Sequence, residues 1–141
     1  MDTALPVRIA DLELFSDCTR SELRQLDSLT TFLHLKQDRV LISEGSPARE
    51  FIIIGSGTAR VSRETDAGVA TVADLGRGEF LGEMELLAGT RRAATVTATT
   101  DLGVLVSSAG EFQSMLRVSP SVAHKVRQAS IARAASLDLA A

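Results

Sequence analysis

The chain has 141 residues, the length of one ordinary domain and enough to bury a sizeable core. Hydrophobic residues make up 45% of it and charged residues 23%, a globular composition. The net charge of −3 gives no general attraction for nucleic acid or an anionic membrane surface. No apolar run approaches the roughly 18 residues needed to span a bilayer, so neither nucleic acid nor membrane is expected as a direct partner. The opening MDTALPVRIADLE lacks the basic-then-apolar order of a secretory signal. Cys18 is the one cysteine, which excludes a disulfide framework; it reads as a small buried apolar residue rather than a reactive thiol. A reducing cytoplasm is the expected setting.

Taken in chain order, Val7, Ile9, Leu12 and Leu14 or Phe15 are spaced for a short helix over residues 7–16. Residues 19–28 predict a second helix, with Ser21 or Thr19 as its cap and Leu23 and Leu26 on one face. From about residue 30 to 106, short β-branched runs alternate with turn residues. The expected strands are 31–35, 40–43, 51–54, 58–63, 69–73, 93–97 and 102–106. Gly45-Ser46-Pro47, Gly55-Ser56-Gly57, Asp66-Ala67-Gly68 and Gly76-Arg77-Gly78 punctuate them. Seven or eight short strands at this spacing predict a sandwich or a jelly roll, and the expected architecture is an eight-stranded jelly roll, or β-roll. A parallel sheet would need helices between its strands, and there is room for one, at about 83–88. Past residue 107 the pattern is helical again, with Phe112, Met115 and Leu116 on one side of a helix over 109–118. Pro120 opens the last helix as its first residue, with Ser119 as cap. That helix is expected to run to about Ser136, with Val122, Val126, Ala129 and Ala132 or Arg133 along one stripe. The expected fold is α+β, mainly β, as one domain over residues 1–141: helices at about 7–28, the β-roll at about 30–106, and C-terminal helices at about 108–136.

The segment Phe80 to Ala98, FLGEMELLAGTRRAATVTA, holds the candidate chemistry. Gly82 lets a ligand or turn approach the backbone closely. Glu83 begins a helix of barely two turns that Gly89 ends, and a helix start presents unpaired N–H groups suited to an anion. Arg92 adds a planar fork that can take two oxygens of one phosphate. Ala93 and Ala94 leave their backbone N–H groups accessible. Glu83, when ionised, can only accept hydrogen bonds, which suits a sugar hydroxyl and repels phosphate.

This segment resembles the phosphate-binding cassette of the cyclic-nucleotide-binding domain family, which includes the regulatory subunits of protein kinase A and the bacterial catabolite activator protein. Phe80, Gly82, Glu83, Leu86 and Leu87 match its first half, and Arg92, Ala93, Ala94, Thr95 and Val96 its second. Glu44-Gly45, the run Phe51 to Ile54, Gly57, and the turn Leu75-Gly76 with Gly78 also fit the family. The resemblance implies that the short helix binds phosphate, that Glu83 accepts the ribose 2′-hydroxyl, and that Arg92 pairs with the cyclic phosphate. It implies further that N–H groups near Met84, Glu85, Ala93 and Ala94 line the phosphate, with Val61, Val72 and Ala73 as the apolar wall beside sugar and base. Family sites for cGMP often carry Thr where Ala93 stands, which favours cAMP over cGMP; no cofactor beyond this ligand is expected. Two departures stand out. Arg91 replaces a usual Pro, and Glu85 occupies a position that is commonly small. An inward carboxylate at Glu85 would weaken phosphate binding, so Glu85 is expected to face solvent or pair with Arg91.

Arg133 reads as a surface arginine of the last helix, with pairing to Glu83 or approach to the base as the alternative. Ser130 and Ser136 read as helix-surface serines, with contact to the base as the alternative. His34 and His124 form no cluster suited to a metal, and no nucleophile–base pair is visible, so the protein is expected not to be an enzyme. The function implied by the resemblance is that of a cAMP-binding regulatory domain. Ligand would order residues 82–89 and move the last helix, with an unidentified downstream protein as partner. The alternatives are a ligand-independent structural module, whose Val122, Val126 and Ala129 stripe forms a homodimer seam, and the regulatory fragment of a larger enzyme or transcription factor.

Overall fold

A computed structural model describes the backbone of residues 7–140 and the side chains of residues 7–135. Two single-turn 3-10 helices, Ile9–Asp11 and Glu13–Phe15, stand where one helix over 7–16 was expected. Leu12 between them is extended, with φ −102° and ψ 141°. The break lets Ile9, Leu12, Leu14 and Phe15 all be buried. On one continuous helix, Leu14 would point about 140° away from Ile9. The second expected helix is α1 (Arg20–Asp27), and its cap is Thr19, in a reciprocal pair of hydrogen bonds with Glu22.

Eight strands follow: β1 (Thr31–Leu35), β2 (Val40–Ile42), β3 (Glu50–Ser56), β4 (Ala59–Thr65), β5 (Gly68–Leu75), β6 (Phe80–Leu81), β7 (Thr95–Ala98) and β8 (Leu102–Ser108). They form two four-stranded antiparallel sheets, ordered β1-β8-β3-β6 and β2-β7-β4-β5. This is the expected eight-stranded β-roll, with α2 (Glu83–Ala88) inserted between β6 and β7 and with α3 (Ala109–Val118) and α4 (Pro120–Ala140) closing the chain. The two-residue β6 is the strand that the runs did not predict.

The alternating side-chain directions of a strand explain how one sheet serves two cores. Ile52 and Ile54 of β3 join Leu102 and Val104 of β8 between the sheets, with Ile42, Leu75, Leu81 and Val96. Phe51 and Ile53 point the other way, against Phe15, Leu26, Phe112, Met115, Val122 and Val126. The uninterrupted run Phe51 to Ile54 is therefore buried on both faces.

α4 starts at Pro120, where Ser119 Oγ accepts from the Val122 N–H at 3.2 Å. Cys18, half-buried, lies with Sγ 3.3 Å from Ser119 Oγ. Val122 and Val126 are fully buried within the chain's own helical core, and Lys125 Nζ donates to Glu13 O and Ser16 Oγ. Val122 and Val126 of the stripe read as a homodimer seam thus face inward, because the N-terminal turns and α3 already cover them. Among the described residues no helix is long and apolar enough to cross a membrane.

Ile53→Ala, at a site with no exposure, should cost about 2–5 kcal/mol of unfolding free energy in a urea titration. Val69→Thr, on a residue 71% exposed, should stay within about 0.5 kcal/mol.

Candidate ligand-binding site

The site begins where β6 ends. Gly82 has φ +94°, and a Cβ there would lie 2.6 Å from Glu50 O and 2.9 Å from Arg92 Nη1. Both the left-handed backbone and this close approach require glycine. Arg92 is 5% exposed. Its backbone is clamped to the turn after β2: its N–H donates to Ser46 O at 2.9 Å, and its carbonyl accepts from the Gly45 N–H at 2.8 Å. That clamp also explains why β7 starts at Thr95 rather than at Ala93. The Arg92 guanidinium donates to Gly82 O at 2.9 Å, to Glu50 O at 2.5 Å and to Glu85 Oε1 at 3.2 Å.

Glu85 is therefore turned inward and 8% exposed, which corrects the expectation of a solvent-facing or Arg91-paired carboxylate. A buried guanidinium needs a counter-charge, and the first turn of α2 supplies the nearest one. Arg91 instead donates to Gly45 O at 2.9 Å.

Glu83 has no exposed surface. Its Oε1 accepts from Arg133 Nη1 at 2.5 Å, while Oε2 is buried with no hydrogen-bond partner among the described residues. Arg133 also donates to Phe80 O, and its guanidinium lies 5.1 Å from the centre of the Phe80 ring. Reading Arg133 as a surface arginine is thus corrected: α4 packs against α2 and carries this side chain onto the buried carboxylate. Burial holds the Glu83 carboxyl above the usual carboxylate range, and the charge and hydrogen bond of Arg133 pull it part of the way back.

These groups border one cavity of about 720 Å³, including the part open to solvent. The positions expected to hold the sugar, the phosphate and the apolar faces of the ligand line it, and so does Arg133. Val61, Val72 and Ala73 come from β4 and β5, Gly82 to Glu85 from the start of α2, Arg92 to Ala94 from the segment before β7, and Arg133 from α4. Neighbours on a regular strand face opposite sides, yet Val72 and Ala73 both reach this wall. The pairing shifts there, from Val61 with Ala73 to Ser62 with Thr71, and the extra residue of this bulge is Val72. Ile42, Leu75, Leu81 and Val96, not expected at the site, add apolar lining. Their signal was ordinary strand periodicity, which does not separate pocket from core. Ser130 is not among the lining residues, and the Ser136 side chain lies outside those described. No group of three or more His, Cys, Asp or Glu among the described residues is placed to hold a metal ion.

A β-roll that holds a buried arginine and a buried glutamate around an open cavity defines a small-ligand-binding domain. The family model for the cyclic nucleotide-binding domain matches residues 32–119, and the chain belongs to that family. Over 115 residues it is 35% identical to the acetyltransferase Pat of Mycolicibacterium smegmatis, covering 79% of this chain and 34% of that protein. It is 32% identical over 108 residues to the cAMP-dependent protein kinase regulatory subunit of Yarrowia lipolytica, covering 77% of this chain and 28% of that one. Among solved structures, the catabolite activator protein of Thermus thermophilus superimposes with a TM-score of 0.79 at 28% identity, over 89% of this chain and 60% of that one. The chain thus spans about a third of the length of these curated relatives. The acetyltransferase overturns the expectation that the protein is not an enzyme: there a domain similar to this one is part of a longer enzyme, so a missing catalytic constellation here excludes nothing.

The raised Glu83 value gives a signed pH dependence. The folded chain holds this proton more tightly than the unfolded chain, so the contribution to stability is fully present below the ordinary value of 4.5 and is lost as pH rises through the higher folded value. Thermal melts from acid to neutral pH should show this decline, and Glu83→Gln should remove Glu83's share of it.

Proposed function

We propose that the cavity binds a cyclic nucleotide, cAMP in preference to cGMP, and that α4 relays its occupancy to a protein partner. The observation that carries this reading is the orphaned buried Oε2 of Glu83, a residue that lines the same cavity as Arg92. An unsatisfied buried polar atom costs about 1–3 kcal/mol, and a ribose hydroxyl donating to Oε2 relieves that cost. Arg92 then takes the cyclic phosphate, whose oxygens its fork matches, assisted by backbone N–H groups at Met84, Glu85, Ala93 and Ala94. Val61, Val72 and Ala73 cover the apolar faces of sugar and base. Ala93, which offers no side-chain hydroxyl, favours adenine over guanine in keeping with the family resemblance.

Coupling to α4 follows from the two oxygens of one carboxylate. Arg133 holds Oε1 while the ligand takes Oε2, so the ligand and α4 read the same side chain. A ligand that binds more tightly with Arg133 in place shifts the α4 equilibrium by that difference in affinity. Resemblance to part of an acetyltransferase and part of a kinase regulatory subunit supports a regulatory role within a longer protein.

Calorimetric titration tests the reading: cAMP should bind with micromolar or tighter affinity and cGMP more weakly. Arg92→Ala should cost about 2–5 kcal/mol of binding free energy, the range for losing one partner of a buried charge pair. Because Arg92 also secures the Glu50 and Gly82 carbonyls, Arg92→Lys serves as a companion that keeps the charge without the fork. Folded wild-type protein that binds neither nucleotide would sink the proposal. Hydrogen exchange over residues 120–140 should change on adding cAMP, and Arg133→Ala should abolish most of that change.

A further inference from the structure

We infer that Glu85 is a specificity-determining residue: its carboxylate occupies the Arg92 fork as a built-in anion, and the phosphate of a nucleotide ligand must displace it. This rests on the cyclic-nucleotide reading above and concerns how the same site selects its ligand. Three of the interactions on the Arg92 guanidinium are of two kinds. The Gly82 and Glu50 carbonyls hold it in place, while the Glu85 carboxylate 3.2 Å away neutralises it. A phosphate needs the second kind of interaction and leaves the first intact.

Charge balance points the same way. Among the described residues, the cavity is lined by two carboxylates, Glu83 and Glu85, and two guanidiniums, Arg92 and Arg133. Each carboxylate is paired with one guanidinium, at 2.5 Å for Glu83 with Arg133 and at 3.2 Å for Glu85 with Arg92. Arg91 directs its guanidinium to Gly45 O instead and is not among the lining residues. A phosphate entering with both pairs intact would place an uncompensated negative charge beside two buried carboxylates, which is unfavourable. Exchanging Glu85 for the phosphate restores the balance. Glu85 is the side chain free to make that exchange, since its single acceptor bond on Arg92 is longer than the Glu83–Arg133 contact and it keeps 8% exposure, whereas Glu83 keeps none. The site therefore penalises phosphate-bearing ligands relative to the bare nucleoside, which has the same sugar and base and no charge to accommodate.

The test titrates cAMP and adenosine into wild type, Glu85→Ala and Glu85→Gln, each checked for folding by circular dichroism. Glu85→Gln keeps the size of the side chain and an oxygen that can still accept from Arg92. Both variants should bind cAMP about tenfold or more tightly than wild type, while adenosine affinity stays unchanged. Variants that bind cAMP no more tightly than a wild type that does bind it overturn this inference and leave the cyclic-nucleotide reading standing. An equal gain for adenosine also overturns it, because the effect is then one of space rather than charge. If wild type and both variants are folded and bind neither ligand, the cyclic-nucleotide reading itself fails. Failure of both variants to fold counts against the inference too, because a side chain that is displaced in use must be dispensable to the fold.

Discussion

The buried guanidinium of Arg92 is the point from which the rest of the site is organised. It ties the first residue of β3, through the Glu50 carbonyl, to the entry of α2, through the Gly82 carbonyl, and its own backbone locks onto the turn at Gly45 and Ser46. A charge in this position is tolerable because every group it meets is an acceptor. The constraint propagates outward. Residue 82 must lack a side chain for the guanidinium to pass, and Glu85 must turn inward to balance it. The peptide from Arg92 to Ala94 leaves the sheet to form the cavity wall before β7 begins at Thr95.

A second pair completes the site from the far end of the chain. Arg133 arrives on α4, fifty residues from Glu83 in sequence, and lies over the Phe80 ring of β6, the strand that leads into α2. The base of α4 is fixed by Val122, Val126 and Lys125 against the N-terminal turns and α3. The helix is thus anchored at one end on the core and touches the ligand cavity further along. The β-roll itself packs two separate clusters of buried side chains on the two faces of β3.

Local signals in the chain carried most of the architecture. Thr19, one of two candidate caps, and Ser119 with Pro120 marked helix starts that formed, and the β-branched runs from Thr31 to Val106 became strands with shifts of a few residues at their ends. The N-terminal segment failed as a helix because four apolar side chains needed one face that a single α-helix could not give them. The two-residue β6 carried no periodicity to read, being defined by its pairing with Ile52 and Ile53.

Within the site, only one group of residues is brought together by local order along the chain. The order of Gly82, Glu83, Arg92, Ala93 and Ala94 is a local pattern: a glycine, a short helix and a return strand bring these positions together over a dozen residues. Tertiary structure decided how their charges pair. Whether Glu85 faces water or Arg92, whether Arg133 lies on the surface or on Glu83, and whether Val122 and Val126 cover a partner or their own core all depend on segments far apart in the chain. A buried charge takes whichever opposite charge the packing brings within reach, and an apolar stripe is covered by whatever lies nearest in space. Spacing along the chain encodes neither.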